Sequence, residues 1–339
     1  MTRPRSPLTM LLSRHTRRRV FITLLGGALA VAPFAVSAQE AGRVYRLGFL
    51  HQLPRSAAQF APLFDGLRKQ GFLEGRNLAL DARGFAIQSR QYQEMAAELV
   101  SSGVDALFCG GDEAIRAAQQ VTRTIPIAGV ADDMVGSGLV ASLARPGGNT
   151  TGVSILSTEL DSKRQELLIE LVPGARRMAA LFDPGAKSAE RLQEMVSAAR
   201  ARGVEISTHR VARAEDIVPA INTAQADGAG ALNVLATVLL HANRQLILER
   251  TTALRMPAIY QFPESAEQGG FAAYGPRLEQ IYNTQVAVQI ARLLRGERPQ
   301  DLPVQQATTF ELVINLKTAS AIGLAVPESL LIRADKVIE

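Results

Sequence analysis

The feature that most constrains the fold is an alternation of short apolar segments with amphipathic segments, which starts at residue 44. The first apolar segment, 44–50, is rich in residues that strands favour. The next segment, 59–71, repeats its apolar residues at helical spacing and ends at Gly71. Strands that alternate with helices in this way form parallel sheets with helices on both faces. The sequence therefore predicts an α/β protein.

The alternation occurs as two series, the second of which begins after 151–153, and no low-complexity linker separates them. Two such series predict two Rossmann-like lobes joined by short hinge strands, with a cleft beyond the carboxyl ends of the strands. The predicted strands are 44–50, 78–82, 106–110, 127–130, 178–182, 204–209, 229–234, 258–260, 270–274 and 310–315. The predicted helices are 59–71, 89–102, 112–122, 137–144, 161–171, 188–202, 215–225, 241–252, 278–294 and 316–322.

One of the two predicted lobes is assembled from separate parts of the chain. Lobe one comprises 43–152 plus 276–308, and lobe two comprises 153–275. Residues 309–339 contain a hinge strand and a C-terminal segment, which the sequence assigns to neither lobe. The predicted hinge strands lie at 151–155, 274–276 and 310–315.

Residues 1–38 are typical of a secretory signal peptide. Three arginines, Arg17 to Arg19, precede an apolar run from Val20 to Val36, and the small residues that follow predict a mature chain starting at Gln39. The arginines also resemble a twin-arginine export signal. An uncleaved anchor is the alternative, although 17 residues interrupted by Gly-Gly and Pro are marginal for a span that needs about 20. The sequence therefore predicts export to the periplasm.

The basic balance of the whole chain comes from this leader. Six of the 37 basic residues and none of the 32 acidic residues lie in 1–38, which leaves a formal net charge of −1 for the rest. A basic protein of this size would suggest a nucleic-acid partner. The predicted mature chain has no such excess, so no nucleic-acid partner is expected.

The residues that usually carry catalysis or bind metals are few and poorly spaced. Cys109 is the single cysteine, which excludes an intramolecular disulfide, and its apolar surroundings predict a buried thiol. His51, His209 and His241 follow no metal-ligand spacing, and His51 is interpreted as a polar loop residue. No Gly-x-Ser-x-Gly elbow, phosphate loop or complete dinucleotide motif is present. We therefore predict no catalytic residues, no metal site and no cofactor.

Asp132 and Asp133 form an acidic pair directly after a predicted strand. Adjacent side chains on extended backbone point apart, which argues against a catalytic dyad. Capping of the next segment and contact with a ligand remain equally open interpretations.

Several longer motifs carry a resemblance to a known family. They are 122–127 (TRTIPI), 140–149 (VASLARPGGN) with 151–152 (TG), 274–276 (YGP), 303–306 (PVQQ) and 310–319 (FELVINLKTA). Together they make the chain resemble the ABC-type solute-binding family that includes tryptophan- and tyrosine-uptake receptors. The resemblance is nearly full-length and implies a type I periplasmic-binding-protein fold. It also implies that the protein captures a small molecule by hinge closure and passes it to an ABC permease in the inner membrane. A monomer is expected.

Two positions depart from the family pattern. The family commonly has Asp-Pro-Val-Gly where this chain has Asp133 to Gly136, and a small hydroxyl-bearing loop where it has Asp112-Glu113. An acidic pair in the cleft favours an ammonium, amide or polyhydroxyl group on the ligand over a plain aromatic amino acid. Helix capping by the same acids is the alternative.

The candidate ligand contacts follow from the expected strand ends. Helix N-termini at the cleft suit a ligand carboxylate, and an aromatic side chain such as Tyr260 or Tyr274 would cover an apolar portion. Thr237 as a helix cap and Tyr274 as hinge packing are the alternatives. The candidates in lobe one are Gln52, Ser56, Gly111, Asp112 and Asp133. The candidates in lobe two are Asp183, Thr237, Tyr260, Glu264 and Tyr274.

Three other functions share some of these features. A sugar-responsive transcription regulator would need a helix-turn-helix ahead of the lobes, where the predicted leader lies instead. A ligand-sensing partner of a membrane sensor would use the same cleft. An exported hydrolase would need a nucleophile and a base, which the motifs do not provide.

Overall fold

In the computed structural model, residues 42–185 and 189–339 are described. The predicted signal peptide, 1–38, and its cleavage site lie outside these residues. Across the described residues, no helix is both long enough and apolar enough to span a membrane.

The described strands form two sheets, of six and seven strands, in the order β2-β1-β3-β4-β5-β11 and β7-β6-β8-β9-β10-β12-β13. The first sheet is entirely parallel. In the second sheet only β10 and β12 pair antiparallel. The bounds of the strands are β1 Tyr45–Leu50, β2 Leu78–Asp81, β3 Ala106–Gly110, β4 Ile127–Ala131, β5 Thr150–Ser154, β6 Arg177–Phe182, β7 Glu205–Arg210, β8 Leu232–Val234, β9 Ala258–Tyr260, β10 Ala272–Gly275, β11 Gln305–Gln306, β12 Glu311–Asn315 and β13 Lys336–Ile338.

Helices flank both sheets, which confirms the predicted α/β fold with two lobes. The first lobe is the six-stranded sheet with α1–α3, α10 and α11, and the second is the seven-stranded sheet with the other helices. The bounds are α1 Phe60–Lys69, α2 Tyr92–Ser101, α3 Asp112–Val121, α4 Asp161–Leu171, α5 Ala189–Ala201, α6 Ile217–Ala226, α7 Val238–Ala242, α8 Arg244–Ala253, α9 Pro263–Glu267, α10 Leu278–Gln280, α11 Ala287–Leu294, α12 Leu316–Ile322 and α13 Glu328–Arg333.

Helices cover both faces of each sheet, and successive strand residues point to opposite faces. Neighbouring residues of a strand therefore pack into different clusters. In β3, Phe108 packs into the cluster with α1 and α11, while its neighbour Cys109 packs into the cluster with α2 and α3. Met178 and Ala179 of β6 divide between the two clusters of the second lobe in the same way. The thiol of Cys109 is fully buried, as predicted, and burial raises its pKa.

Within the described residues the chain crosses between the lobes three times, at 155–160 after β5, at 276–277 after β10 and at 307–310 after β11. The predicted lobe boundary at residue 153 falls inside β5, which stays paired with β4 through Ser154. Residues 309–339, which the sequence assigned to neither lobe, contribute β12 and β13 to the second sheet.

Two local predictions are wrong. The segment 137–144 is a series of turns, not a helix, because Gly138 takes a left-handed φ of 67° and Leu139 N–H donates back to Met134. The predicted helix 241–252 is two helices, α7 and α8, which meet at Asn243. The predicted helix 278–294 is confirmed as one uninterrupted helix, although its middle, Ile281–Val286, is π-helical between α10 and α11.

Candidate ligand-binding cleft

A cavity of about 850 Å³ lies between the lobes, at the carboxyl ends of strands from both sheets. This volume is typical of pockets that enclose small molecules. The lining residues of the first lobe are His51, Gln52, Leu53, Gln59, Ser89, Tyr92, Gly110–Glu113, Val130–Asp133, Gly136, Ser137, Leu278 and Tyr282. Those of the second lobe and the first crossing are Ile155, Ser157, Thr158, Asp183–Gly185, Arg191, Arg210, Ala212, Ala236–Leu239, His241 and Phe262.

The N-terminus of α3 forms part of the first-lobe wall. Gly111 precedes this helix with a φ of 93°, a conformation that glycine adopts without strain. A Cβ atom on Gly111 would lie 3.1 Å from Cγ2 of Val238, which belongs to the second lobe. The two walls therefore come together at this point.

Carboxylates dominate the first-lobe wall. Asp132 accepts hydrogen bonds from the backbone N–H (2.8 Å) and the hydroxyl of Thr158. Asp133 Oδ1 accepts from the N–H groups of Val135 (3.1 Å) and Gly136 (2.8 Å), so it caps the following turn. Burial, followed by the charges of Asp132 and Asp133, raises the pKa of Asp112. Ser137 and Arg116 act in the opposite direction.

The second-lobe wall supplies guanidinium groups. Arg191 and Arg210 both line the cavity, and Arg191 Nη1 donates to Thr158 Oγ1 at 3.3 Å. Asp183 lines the same wall, and its Oδ1 accepts from the Gly185 N–H at 2.9 Å. Apart from Asp183, the charged groups of the cleft are thus divided, with carboxylates on the first lobe and guanidinium groups on the second.

Two buried histidines face the cavity, one from each lobe. Burial lowers the pKa of His51 to about 4. Burial, with the charges of Arg244 and His51, lowers the pKa of His241 to about 3. His51 Nδ1 accepts a hydrogen bond from the Leu53 N–H at 3.0 Å. Both imidazoles are therefore neutral at pH 7.

Some buried polar atoms of the cavity lining have no hydrogen-bond partner within the described residues. They are Tyr92 Oη, Ser157 Oγ and both ring nitrogens of His241. Buried polar groups are normally paired, so unpaired ones in a cavity wall mark positions where a ligand or water can bind. Gln52 is different, because its Nε2 donates to Ser89 Oγ at 2.9 Å.

Residues 54–338 match the sequence model of the ABC transporter substrate binding protein family. The chain belongs to this family. The chain is 24% identical over 266 residues to the Tyrosine-binding protein of Clostridioides difficile (strain R20291), a match covering 76% of this chain and 74% of that protein. Members of this family are solute-binding proteins, which confirms the function expected from the resemblance.

Solved structures share the fold of this solute-binding protein. A conserved domain protein from Vibrio cholerae is 27% identical, with a TM-score of 0.74 over 87% of this chain and 99% of that one. The ABC domain of Streptococcus pneumoniae in complex with L-Trp is 23% identical, with a TM-score of 0.74 and coverage of 87% and 100%. An open, ligand-free substrate-binding protein from Clostridium difficile is 21% identical, with a TM-score of 0.57 and coverage of 87% and 99%.

Six of the ten candidate residues of this solute-binding protein line the cavity. The structure brings together Gln52, Gly111, Asp112, Asp133, Asp183 and Thr237. Thr237 Oγ1 also accepts from the Leu240 N–H at 3.1 Å, so it caps α7 as the alternative interpretation proposed. Contact of these six residues with a ligand stays a prediction.

The other four candidates lie outside the cavity lining. Tyr260 is 0% exposed, and its hydroxyl pairs with Thr251 at 3.0 Å, because this strand position points into the core against α8. Glu264 accepts from the Glu279 N–H at 3.0 Å, and burial raises its pKa. Tyr274 packs beside Phe310, and Ser56 is exposed in a loop. The structure therefore does not bring these four residues into the cavity lining.

The sequence interpretation missed several cavity residues. His51, taken as a polar loop residue, is 3% exposed and packs against Phe60 and Phe108. Its position directly after β1 was a usable signal, since ligands bind beyond strand ends. Arg210, directly after the predicted strand 204–209, carried the same signal, whereas Tyr92, Ser157, Arg191 and His241 have no local pattern that marks them. Within 42–185 and 189–339, no three His, Cys, Asp or Glu side chains form a metal site.

Proposed function

We propose that the protein captures an amino acid, or a similar small molecule with a carboxylate, and delivers it to an ABC permease in the inner membrane. The observation that carries this proposal is the division of charge in the cleft, with Asp112 on one lobe and Arg191 and Arg210 on the other. A ligand ammonium would bind at the acidic wall, and a ligand carboxylate would bind at the guanidinium groups.

Such a ligand gives a physical reason for closure. A small molecule can shift an open–closed equilibrium only if it binds the closed form more tightly. A zwitterion bound to one wall alone leaves one of its charges without a partner, whereas the closed cleft pairs both. The opposite charges of the walls therefore favour closure around a zwitterion over closure around a neutral molecule.

The apolar side chains of the cleft suit the body of such a ligand. Tyr92, Phe262 and Tyr282 line the cavity together with Leu53 and Leu239. These groups would cover an apolar or aromatic portion, as expected of a family whose relatives include a tyrosine-binding protein. The unpaired hydroxyls of Tyr92 and Ser157 favour ligands that also carry a hydrogen-bonding group.

A thermal-shift screen with matched analogues tests the ligand class. L-amino acids are compared with the corresponding amines, which lack the carboxylate, and with the corresponding acids, which lack the ammonium group. A ligand at 100 times its dissociation constant stabilises the folded form by about 2.7 kcal/mol. We expect stabilisation by amino acids and much weaker effects from both truncated analogues. Stabilisation by neutral sugars alone would contradict the proposal.

The variant Asp112→Asn tests the acidic wall. It keeps the size of the side chain and removes the charge, so we expect amino-acid affinity to fall by about tenfold, as for the loss of one charge-assisted hydrogen bond. Glu94→Gln, an exposed change on α2 of the same lobe, is the control and should bind like the parent. Isothermal titration calorimetry measures both. Equal affinities for Asp112→Asn and the parent would remove Asp112 from the site.

The protein is further proposed to act without catalysis, as an exported monomer. A family of solute-binding proteins supports the absence of turnover, and the pattern of residues 1–38 supports export. Mass spectrometry of a ligand recovered unchanged after prolonged incubation tests the first point. N-terminal sequencing of periplasmic material tests the second, with Gln39 expected as the first residue.

A further inference from the structure

A buried ion pair lies at the start of α4, beneath the second-lobe wall. Arg164 is 0% exposed and Asp161 is 6% exposed. Arg164 Nη2 donates to the Asp161 carboxylate, three residues earlier in the same helix. A buried ion pair is often no more stabilising than a well-packed apolar pair of the same size. The position of this pair therefore needs an explanation other than stability.

Arg164 binds the first crossing and the strand that leads into the second crossing. Its Nη2 also donates to the carbonyl oxygen of Ser157, in the first crossing, at 2.6 Å. Its Nη1 donates to the carbonyl oxygen of Tyr274, the residue before the last of β10, at 2.9 Å. One rigid, planar guanidinium thus fixes the first crossing relative to the start of the second.

Asp161 connects the same pair to the wall of the cleft. Its Oδ1 accepts from the backbone N–H of Ala236 at 3.0 Å. Ala236 begins the wall segment 236–239, and Val238 in that segment faces Gly111 of the first lobe. Ser157, held by Arg164, also lines the cavity. The pair itself does not line the main cavity.

A second arginine, Arg277, joins the second crossing to the strand that follows the third crossing. Arg277, in the second crossing, donates from Nε to Glu311 Oε1 at 3.0 Å and from Nη2 to Glu311 Oε2 at 2.5 Å. Glu311 is the first residue of β12, directly after the third crossing. Arg277 also binds Glu267 of α9 at 3.1 Å. Side-chain contacts therefore join the second crossing to the strand that directly follows the third crossing.

We propose that Asp161 and Arg164 are positioning residues, which set how far and in which direction the two lobes can rotate. The pair holds the 236–239 wall, the first crossing at Ser157 and the end of β10 in one arrangement. Without it, each of these segments would move separately, and the lobes would meet in many orientations instead of one. This proposal rests on the proposed function in one respect, namely that closure of the two lobes serves solute capture.

The first test measures the distance between the lobes without any ligand. Spin labels on Gln93→Cys in α2 and Gln225→Cys in α6 report this distance by pulsed electron resonance, since both positions are exposed and the native Cys109 is buried. We expect Arg164→Met to broaden the distance distribution and to lengthen its mean. Arg164→Lys keeps the charge and should restore part of the parental distribution.

A matched control separates positioning from stability. Arg333→Met removes an exposed arginine of the same lobe, which pairs with Glu170 away from the crossings. This variant should keep the parental distribution. If Arg164→Met fails to fold because Asp161 is left unpaired, the double variant Asp161→Asn/Arg164→Met removes both charges and should fold. It should show the same broad distribution as the single variant.

Two outcomes decide whether the ion pair positions the lobes or only stabilises the fold. Broad distributions for Arg164→Met or the double variant, with parental distributions for Arg333→Met, would support the proposal. A parental distribution in the double variant, with a lower Tm as the only change, would overturn it and leave the pair as a structural contact. Because no ligand is present, neither outcome depends on the ligand class, which the thermal-shift screen tests separately.

Discussion

Two tyrosines with nearly equal burial differ in whether their hydroxyl groups have a partner. Tyr260 is 0% exposed and pairs with Thr251. Tyr92 is 2% exposed, and its hydroxyl, which lies near Gln52, makes no well-formed hydrogen bond within the described residues. Only Tyr92 lines the cavity. The same chemical group therefore stabilises the fold at one position and is available for a ligand at the other.

Replacing each tyrosine by phenylalanine separates these roles. Tyr260→Phe removes a formed hydrogen bond, so we expect a loss of about 1 kcal/mol in the free energy of unfolding and unchanged ligand affinity. Tyr92→Phe removes an unpaired hydroxyl, so stability should be unchanged or slightly higher, while ligand affinity falls. Urea denaturation and calorimetric titration measure the two quantities. The reverse pattern would return Tyr260 to the site and exclude Tyr92.

The buried histidines predict a pH dependence of stability. Both are neutral bases whose pKa in the folded protein, about 4 for His51 and about 3 for His241, lies below the ordinary value of 6.5. The unfolded chain therefore binds more protons than the folded one below pH 6.5. Their contribution to the free energy of unfolding is fully present above pH 6.5. It declines as the pH falls, by up to about 1.4 kcal/mol per pH unit for each histidine.

The variant His241→Phe tests this pH dependence. Both ring nitrogens of His241 are unpaired, so phenylalanine loses no hydrogen bond and should pack against Phe262. We expect its unfolding free energy to fall less than that of the parent between pH 7 and pH 5. His209→Gln, a change on β7 outside the cleft, is the control and should keep most of the parental slope. An unchanged slope in His241→Phe would contradict the prediction.

At the scale of elements, Gly111 has two roles at the N-terminus of α3. It precedes the first turn of the helix, and it lies close to the opposite wall of the cleft. Gly111 has a left-handed φ, and its Cα faces Val238 across the cleft. Gly103, after α2, also has a left-handed φ, of 74°, but no atom lies within 4 Å of its ideal Cβ position. The two glycines therefore share a positive φ and differ in the contact that a Cβ would make.

This difference predicts distinct effects of alanine. Gly103→Ala should cost about 1 kcal/mol of stability from backbone strain, with no effect on binding. Gly111→Ala should cost more, about 1–3 kcal/mol, because its φ of 93° and ψ of 158° lie in a region that is essentially restricted to glycine. It should also weaken binding, because the added Cβ presses on Val238 as the lobes meet. Adding Val238→Ala to Gly111→Ala should restore affinity without restoring stability. Thermal unfolding and titration calorimetry distinguish these results, and failure of the second change to restore affinity would exclude the contact.

At the scale of the whole molecule, three crossings and one cleft determine the available motion. Few connections resist rotation of the lobes, and the walls that meet carry opposite charges. A ligand that bridges both walls supplies the difference in affinity that closure requires. We therefore expect a population of open molecules without ligand and a closed population at saturation.

Small-angle scattering tests this expectation directly. The radius of gyration should decrease when the amino acid with the largest thermal shift is added at saturation. The decrease should be smaller for Asp112→Asn, which weakens binding at one wall. An identical radius of gyration with and without a saturating ligand would contradict hinge closure.

The α/β fold could be predicted from sequence because it depends on local patterns. Apolar runs such as β3 and helical repeats such as α1 appear in the order that a parallel sheet requires. The turn segment 137–144 was mistaken for a helix because its apolar spacing resembles one, while the left-handed Gly138 and the hydrogen bonds to Met134 arise only in the folded chain.

Which side chains line the cleft is decided by the tertiary structure, for a geometric reason. Residues placed directly at strand ends, such as Asp112, could be predicted, because the carboxyl ends of parallel strands share one edge of a sheet. Tyr260 could not, because neighbouring strand positions face opposite sides and a shift of one residue exchanges cleft for core. His51 and His241 are 190 positions apart in sequence. The sequence alone determined the two α/β lobes and the family, whereas packing between distant segments decided which side chains face the ligand.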